Sequence, residues 1–177
     1  IDATAPGPQA QASAPRVEQV FIGSTCENSL IFERKLFVIR KWAERTIRES
    51  HLAERGLFYI PSLSSNTIVY KGLLLPDQLS KFYLDLCDER FVSALAMVHQ
   101  RFSTNTFPTW ELAQPFRVLC HNGEINTVKG NQAWMAAREQ LFSGEIFGED
   151  IRQIIPTIAP GLSDSACLDT VAELLVQ

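Results

Sequence analysis

Phe91-Val92-Ser93-Ala94-Leu95-Ala96-Met97-Val98-His99-Gln100-Arg101-Phe102 is the stretch on which the fold turns. It is apolar almost to its end, yet far short of the roughly 20 residues that a membrane-spanning helix needs. Its length and composition predict a buried strand, and residues 116–121 predict another, separated by a polar, proline-containing excursion over 104–115. Long loops between core strands often carry ligand groups. The polar end of the first strand runs on as His99-Gln100-Arg101-Phe102-Ser103-Thr104-Asn105-Thr106, and the second strand leads into His121-Asn122-Gly123-Glu124-Ile125-Asn126.

Working outward, residues 17–22 have strand composition and rough alternation. Asn28 or Ser29 then caps a predicted long helix whose apolar positions Phe32, Leu36, Ile39, Ala43 and Ile47 recur at steps of three and four. Residues 57–63 and 67–73 flank Ser64-Ser65-Asn66, a hairpin signal, with Pro61 demoting the first arm to an edge. Pro76 and Asp77 open a helix through Leu86 that places Leu79, Phe82, Tyr83 and Leu86 on one face. Further helices are predicted from Asn126-Thr127 through Glu139, over 149–155, and over 166–176 with Ser163 or Asp164 as cap. Mixed strands and helices of this kind read as an α+β domain. Residues 1–15 are small, polar and proline-broken, and read as a disordered tail or linker. The last helix reaches Gln177 with no stop signal, which reads as a chain cut within a larger protein.

Composition excludes several classes. A net charge of -4 and a pI near 5.4 give nucleic acid or an anionic membrane no purchase. Cys26, Cys87, Cys120 and Cys167 are scattered without a CxxC or a histidine pair at zinc spacing, so neither a metal site nor a disulfide framework is expected. No secretory leader is legible at the start, and a reducing, cytoplasmic setting fits.

Three elements carry chemistry. Arg101 could clamp an α-carboxylate through two parallel hydrogen bonds, or could form an ordinary surface salt bridge. Asn122 and Gly123 could offer a side-chain amide and a backbone N–H to an oxyanion, although Asn-Gly is also a common turn. Asp164, in Gly161-Leu162-Ser163-Asp164-Ser165, could accept from an ammonium group, and equally belongs to a helix cap. Taken together they predict glutamine as the ligand. Cys120 and His121 are neighbours on a predicted strand, where side chains face opposite ways and cannot form a dyad. A structural role is expected for each cysteine and for His51 and His99.

The runs 99–106, Ala113-Gln114-Pro115-Phe116-Arg117, 121–127 and 161–165 closely resemble the class II glutamine amidotransferase domain of glutamate synthases. The resemblance extends over residues 16–177 and takes in Glu18-Gln19-Val20-Phe21 and Phe32-Glu33-Arg34-Lys35-Leu36. It implies an N-terminal-nucleophile hydrolase fold, an αββα sandwich of two mainly antiparallel sheets between helices. It also implies Arg101 on the glutamine α-carboxylate, Asp164 on the α-ammonium, and Asn122 with the Gly123 N–H as oxyanion hole. For the complete enzyme it implies FMN and an iron–sulfur cluster, further synthase domains with or without a small reductase subunit, and a plastid setting if the source is a plant or alga. The electron donor stays open between pyridine nucleotide and ferredoxin.

One departure stands out. The family's nucleophile is a cysteine at the mature N-terminus, whereas residue 1 is Ile and Cys26 is followed by Glu27-Asn28. The expectation is a piece, truncated at both ends, that carries the recognition half of the site without the attacking thiol, and so has no glutaminase activity alone. Two alternatives remain: a noncatalytic glutamine-binding module, and a hydrolase using an internal cysteine, Cys120 or Cys167.

Overall fold

A computed structural model describes residues 1–101, 107–122 and 124–177. Among these residues the regular structure is helical. The helices are α1 (Pro8–Gln11), α2 (Ser29–Glu49), α3 (Pro76–Phe82), α4 (Val128–Glu139), α5 (Ile151–Ile154) and α6 (Asp164–Leu175), with short 3-10 turns at Arg55–Leu57, Leu84–Cys87 and Gly148–Asp150.

The helix starts follow from local chemistry. The Asn28 side chain accepts from the N–H groups of Leu30 and Ile31, satisfying two of the donors a helix leaves open at its first turn. Ser163 does the same for α6 by accepting from Ala166 N–H, so Asp164 is the first helical residue and Ser163 the cap. Gly161, at φ 84°, supplies the left-handed turn that brings Pro160 round to that cap. Pro76 opens α3, where the Gln78 side chain accepts from Leu75 N–H.

The expected α+β sandwich is not what these residues form: no described residue belongs to a strand or sheet. A strand exists only as part of a ladder, and here backbone donors of the predicted strands go to side chains or to carbonyls a few residues away, as Phe116 N–H does to Leu119 C=O. Val118 and Leu119 N–H both donate to Asp169 Oδ1, at 2.9 and 3.2 Å, and His121 N–H donates to Gln114 Oε1. Between the two predicted hairpin arms, Val69 N–H donates to the Ser62 hydroxyl, while Glu33 of α2 takes the hydroxyls of Ser64 and Ser65. Segment 64–67 is thus a side-chain-braced loop docked on a helix. Residues 91–98 likewise gain no ladder partner, and Val92, Leu95 and Val98 stay about 80% exposed.

The core is divided. One apolar cluster joins Phe37 and Val38 of α2 to Ile154 of α5, with Phe147, Ile151 and Leu174 packed around them. A second is aromatic: Phe82, Tyr83 and Trp110 are buried together, edge-on or tilted, with Leu79, Leu86 and Tyr70 against them. The proline-broken opening segment touches this second cluster, since Trp110 Nε1–H donates to Ala10 C=O and Asp2 N–H to Phe82 C=O.

Another buried layer is ionic. Of the predicted stripe Phe32, Leu36, Ile39, Ala43 and Ile47, only Leu36 is fully buried, and it shares the inner face of α2 with Phe37, Val38, Arg40 and Lys41. Arg40 pairs with Glu44 one turn on and with Glu173 of α6, and Arg117 lies within 4 Å of Glu44, Asp169 and Glu173. Burial alone would raise the Glu44 carboxyl, but Arg40 and Arg117 outweigh it and hold it below the ordinary glutamate value.

Candidate active site

Asp164 is 7% exposed at the first position of α6. Its Oδ2 accepts Ile125 N–H at 2.9 Å, and its Oδ1 accepts Ser165 N–H at 2.6 Å. The fully buried Ser165 hydroxyl lies within hydrogen-bond reach of both Asp164 Oδ1 and His121 C=O. Gln114, also buried, grips His121 from the other side: its Nε2–H donates to His121 C=O at 2.5 Å and its Oε1 accepts His121 N–H at 2.6 Å. One turn further along α6, Asp169 holds the Val118 and Leu119 N–H groups.

The consequence is a short segment, 118–125, pinned at both ends by buried polar side chains, with exposed Asn122 between the pins. Four charge-assisted or bidentate contacts of this kind hold a loop more narrowly than turn propensity could. The chain leaves it through Thr127, a β-branched residue at φ 63° and ψ 39°, a conformation that costs free energy outside glycine and persists only where the surroundings impose it.

The four predicted site residues are thus placed differently. Asp164 and the Asn122 segment are brought together through Ile125 and His121. Gly123 lies outside the described residues, as do residues 102–106 of the first motif. Arg101 is exposed; its N–H donates to His99 Nδ1, and no hydrogen bond or ion pair joins its guanidinium to Asn122, Asp164 or any other described residue.

Sequence reasoning missed Gln114, Ser165 and Asp169. A signal for Asp169 was available: a carboxylate interrupting the otherwise apolar run Ala166-Cys167-Leu168-Asp169-Thr170-Val171 needs a buried partner if that face packs. Gln114 is a polar residue beside Trp110, Ala113 and Phe116, all buried, and raises the same question.

The cysteines are all free. Burial pushes the Cys167 thiol up, with the Gln132 amide its nearest polar contact at 3.4 Å, so it stays protonated and weakly nucleophilic. No group of three or more His, Cys, Asp and Glu side chains among the described residues is arranged to hold a metal ion. No described helix is long and apolar enough to cross a membrane.

Comparison with known proteins bears directly on this geometry. The family of class-II glutamine amidotransferases matches residues 1–177. The chain is 57% identical over 172 residues to the glutamate synthase [NADPH] large chain of Bacillus subtilis (strain 168), covering 96% of this chain and 11% of that protein. It is 49% identical over 172 residues to the glutamate synthase [NADPH] large chain of Azospirillum brasilense, covering 97% and 11%. Against the ferredoxin-dependent chloroplastic glutamate synthase of Oryza sativa subsp. japonica it is 44% identical over 172 residues, covering 97% and 10%. It therefore spans about a tenth of the length of these relatives. With a matching family across its whole length, this chain belongs to the class II glutamine amidotransferases.

Proposed function

We propose that the chain forms the glutamine-recognition part of the amidotransferase of a glutamate synthase, which draws ammonia from glutamine for the reductive amination of 2-oxoglutarate to glutamate. Asp164 receives the α-ammonium of glutamine, Arg101 its α-carboxylate, and the Asn122 side chain with the Gly123 N–H stabilises the oxyanion formed at the amide carbon. The observation that supports this most is the tie between Asp164 and the Ile125 N–H, reinforced by Gln114 and Ser165 on His121. It sets an acid and an amide donor on two elements that approach one another, a separation in sequence of some forty residues closed by direct hydrogen bonds.

The chemistry divides accordingly. A clamp at both ends of the amino-acid backbone fixes where the side-chain amide falls, and the oxyanion donors act only once the amide carbon becomes tetrahedral, so their contribution is to the transition state. The thiolate that attacks in this family belongs to an N-terminal cysteine; buried Cys167, kept protonated, is unsuited to replace it. Of the FMN and iron–sulfur cluster implied by the resemblance to glutamate synthases, the cluster needs grouped cysteine thiolates, and the four cysteines here form no such group among the described residues. We place both groups, the remaining synthase domains and any reductase subunit outside these 177 residues, and the enzyme in the cytoplasm or, for a plant or alga, the plastid.

The test is an amide-resolved NMR titration with L-glutamine. Saturable shifts at Asn122, Ile125 and Ser165 are expected, with D-glutamine ineffective. Saturation that leaves all three unmoved would overturn the assignment.

A further inference from the structure

Two adjoining spaces that share wall residues lie along α2, beside the 153–160 segment. The inner one, a cavity of about 50 Å³, has Arg40, Lys71, Arg117, Thr157 and Asp169 in its wall. The outer one, a cleft of about 240 Å³, is lined on one side by Ile155, Pro156 and Pro160. Lys41, Glu44, Arg48 and Ala159 border both, while Arg101, Asn122 and Asp164 border neither.

The inner wall holds more donors than partners for them. Thr157 is fully buried and its hydroxyl has no hydrogen-bond partner; the same is true of the Nε–H groups of Arg40 and Arg117, against one unmatched carboxylate oxygen, Asp169 Oδ2. Arg48, half-buried where the two spaces meet, makes no hydrogen bond or ion pair with any described residue. Of the carboxylates around it, Glu44 is engaged with Arg40 and the Ile60 N–H and Asp169 Oδ1 with two backbone donors, while Glu111 feels the Arg48 charge without a hydrogen bond to it. Arg40, Lys41, Arg48, Lys71 and Arg117 line the cavity with Glu44, Glu111 and Asp169, and Glu173 behind the wall pairs with Arg40 and Arg117, so five basic side chains meet four acidic ones. Burial and then the adjacent arginines hold Lys41 down to about 8, and burial with Arg117 holds Lys71 down to about 7. Leaving buried donors unmet is costly, and an anion would answer several at once.

We propose that this cavity and cleft bind a small organic carboxylate, its carboxylate received by Arg48 and the Thr157 hydroxyl and its short aliphatic body lying against Ile155, Pro156 and Pro160. The outer wall decides between kinds of anion. A bare inorganic ion would use the donors and leave the aliphatic side wet, whereas a short carboxylate covers both.

Butyrate is the probe, with butyramide as its uncharged isostere and sulfate as the inorganic control, each titrated into the 15N-labelled chain. The expected result is saturable binding of butyrate in the millimolar range, with shifts at the Thr157 and Ala159 amides and the Arg48 Nε–H. Butyramide should bind at least about tenfold more weakly, and Arg48→Gln should weaken butyrate by about tenfold, since a charge-assisted contact is lost in each case. Arg48 has no hydrogen bond or ion pair with a described residue to lose, so this variant should keep the wild-type circular dichroism and melting profile, and the butyrate–butyramide contrast needs no variant. Equal response to butyrate and butyramide, equal binding of sulfate, shifts confined to other residues, or no saturation would each overturn the proposal.

Discussion

The two halves of the candidate site are built differently. On the Asp164 side every pin is a buried side chain reaching from one element to another: Asp164 to Ile125, Gln114 to His121, Asp169 to Val118 and Leu119. On the Arg101 side the residue is exposed and its backbone N–H donates locally, to His99 Nδ1. The first half is organised before any ligand arrives. On the function proposed above, the second would gain its geometry from the ligand, whose carboxylate would supply a partner that no other described residue gives the Arg101 guanidinium. That proposal has binding energy spent unevenly, with little reorganisation at the acid and most of the ordering at the arginine.

The largest effect should come from breaking the organised half at its base. Asp169→Ala strands two backbone donors and leaves Arg117 short of a carboxylate in a buried setting, so urea unfolding should show a loss of about 3–5 kcal/mol. A loss below about 1 kcal/mol would mean that the α6 acids are ornamental.

The ionic layer beneath the site gives a pH signature. Lys71 is held to about 7 and Lys41 to about 8, against an unfolded lysine near 10.4, so the unfolded chain binds more protons than the folded one across that window. Stability should therefore rise as pH is raised from about 7 to about 9.5, where the folded lysines are losing their protons and the unfolded ones still hold them. Lys71→Met should flatten the slope measured by urea unfolding, and an unchanged slope would remove Lys71 from the account.

Gln114→Ala is expected to cost about 2 kcal/mol, two backbone hydrogen bonds at roughly 1 each, and to broaden or shift the Asn122 amide in NMR spectra. The smallest effect on stability should be at the exposed half: Arg101→Gln should move the unfolding midpoint by no more than about 0.5 kcal/mol equivalent while weakening glutamine binding. A strong destabilisation there would show that the arginine is structural and erase the contrast between the halves.

What could be read from the residues follows the same divide between local and distant bonds. Helix starts at Asn28, Pro76 and Ser163 were legible because caps are chemistry within three or four residues. The 3.6-residue period placed α2 correctly but caught only Leu36 of its fully buried residues, because Arg40 and Lys41 are buried by an acid and a carbonyl that lie more than a hundred residues away. Strands were predicted from apolar runs at 91–102 and 116–121, yet a ladder depends on a partner that no local pattern names, and at 118–121 buried side chains took the donors first. The motif residues Asp164 and Asn122 were visible as chemical types. Gln114, Ser165 and Asp169, which hold them, look like ordinary polar residues until the fold brings them to a backbone.

The account rests on one glutamine molecule bridging the organised acid and the exposed arginine. Calorimetric titration of L-glutamine into the wild-type chain, Asp164→Asn and Arg101→Gln tests it most directly. The prediction is saturable binding weakened by about tenfold or more in each variant, as expected when one charge-assisted contact is removed. Wild-type binding that survives both substitutions unchanged would contradict it.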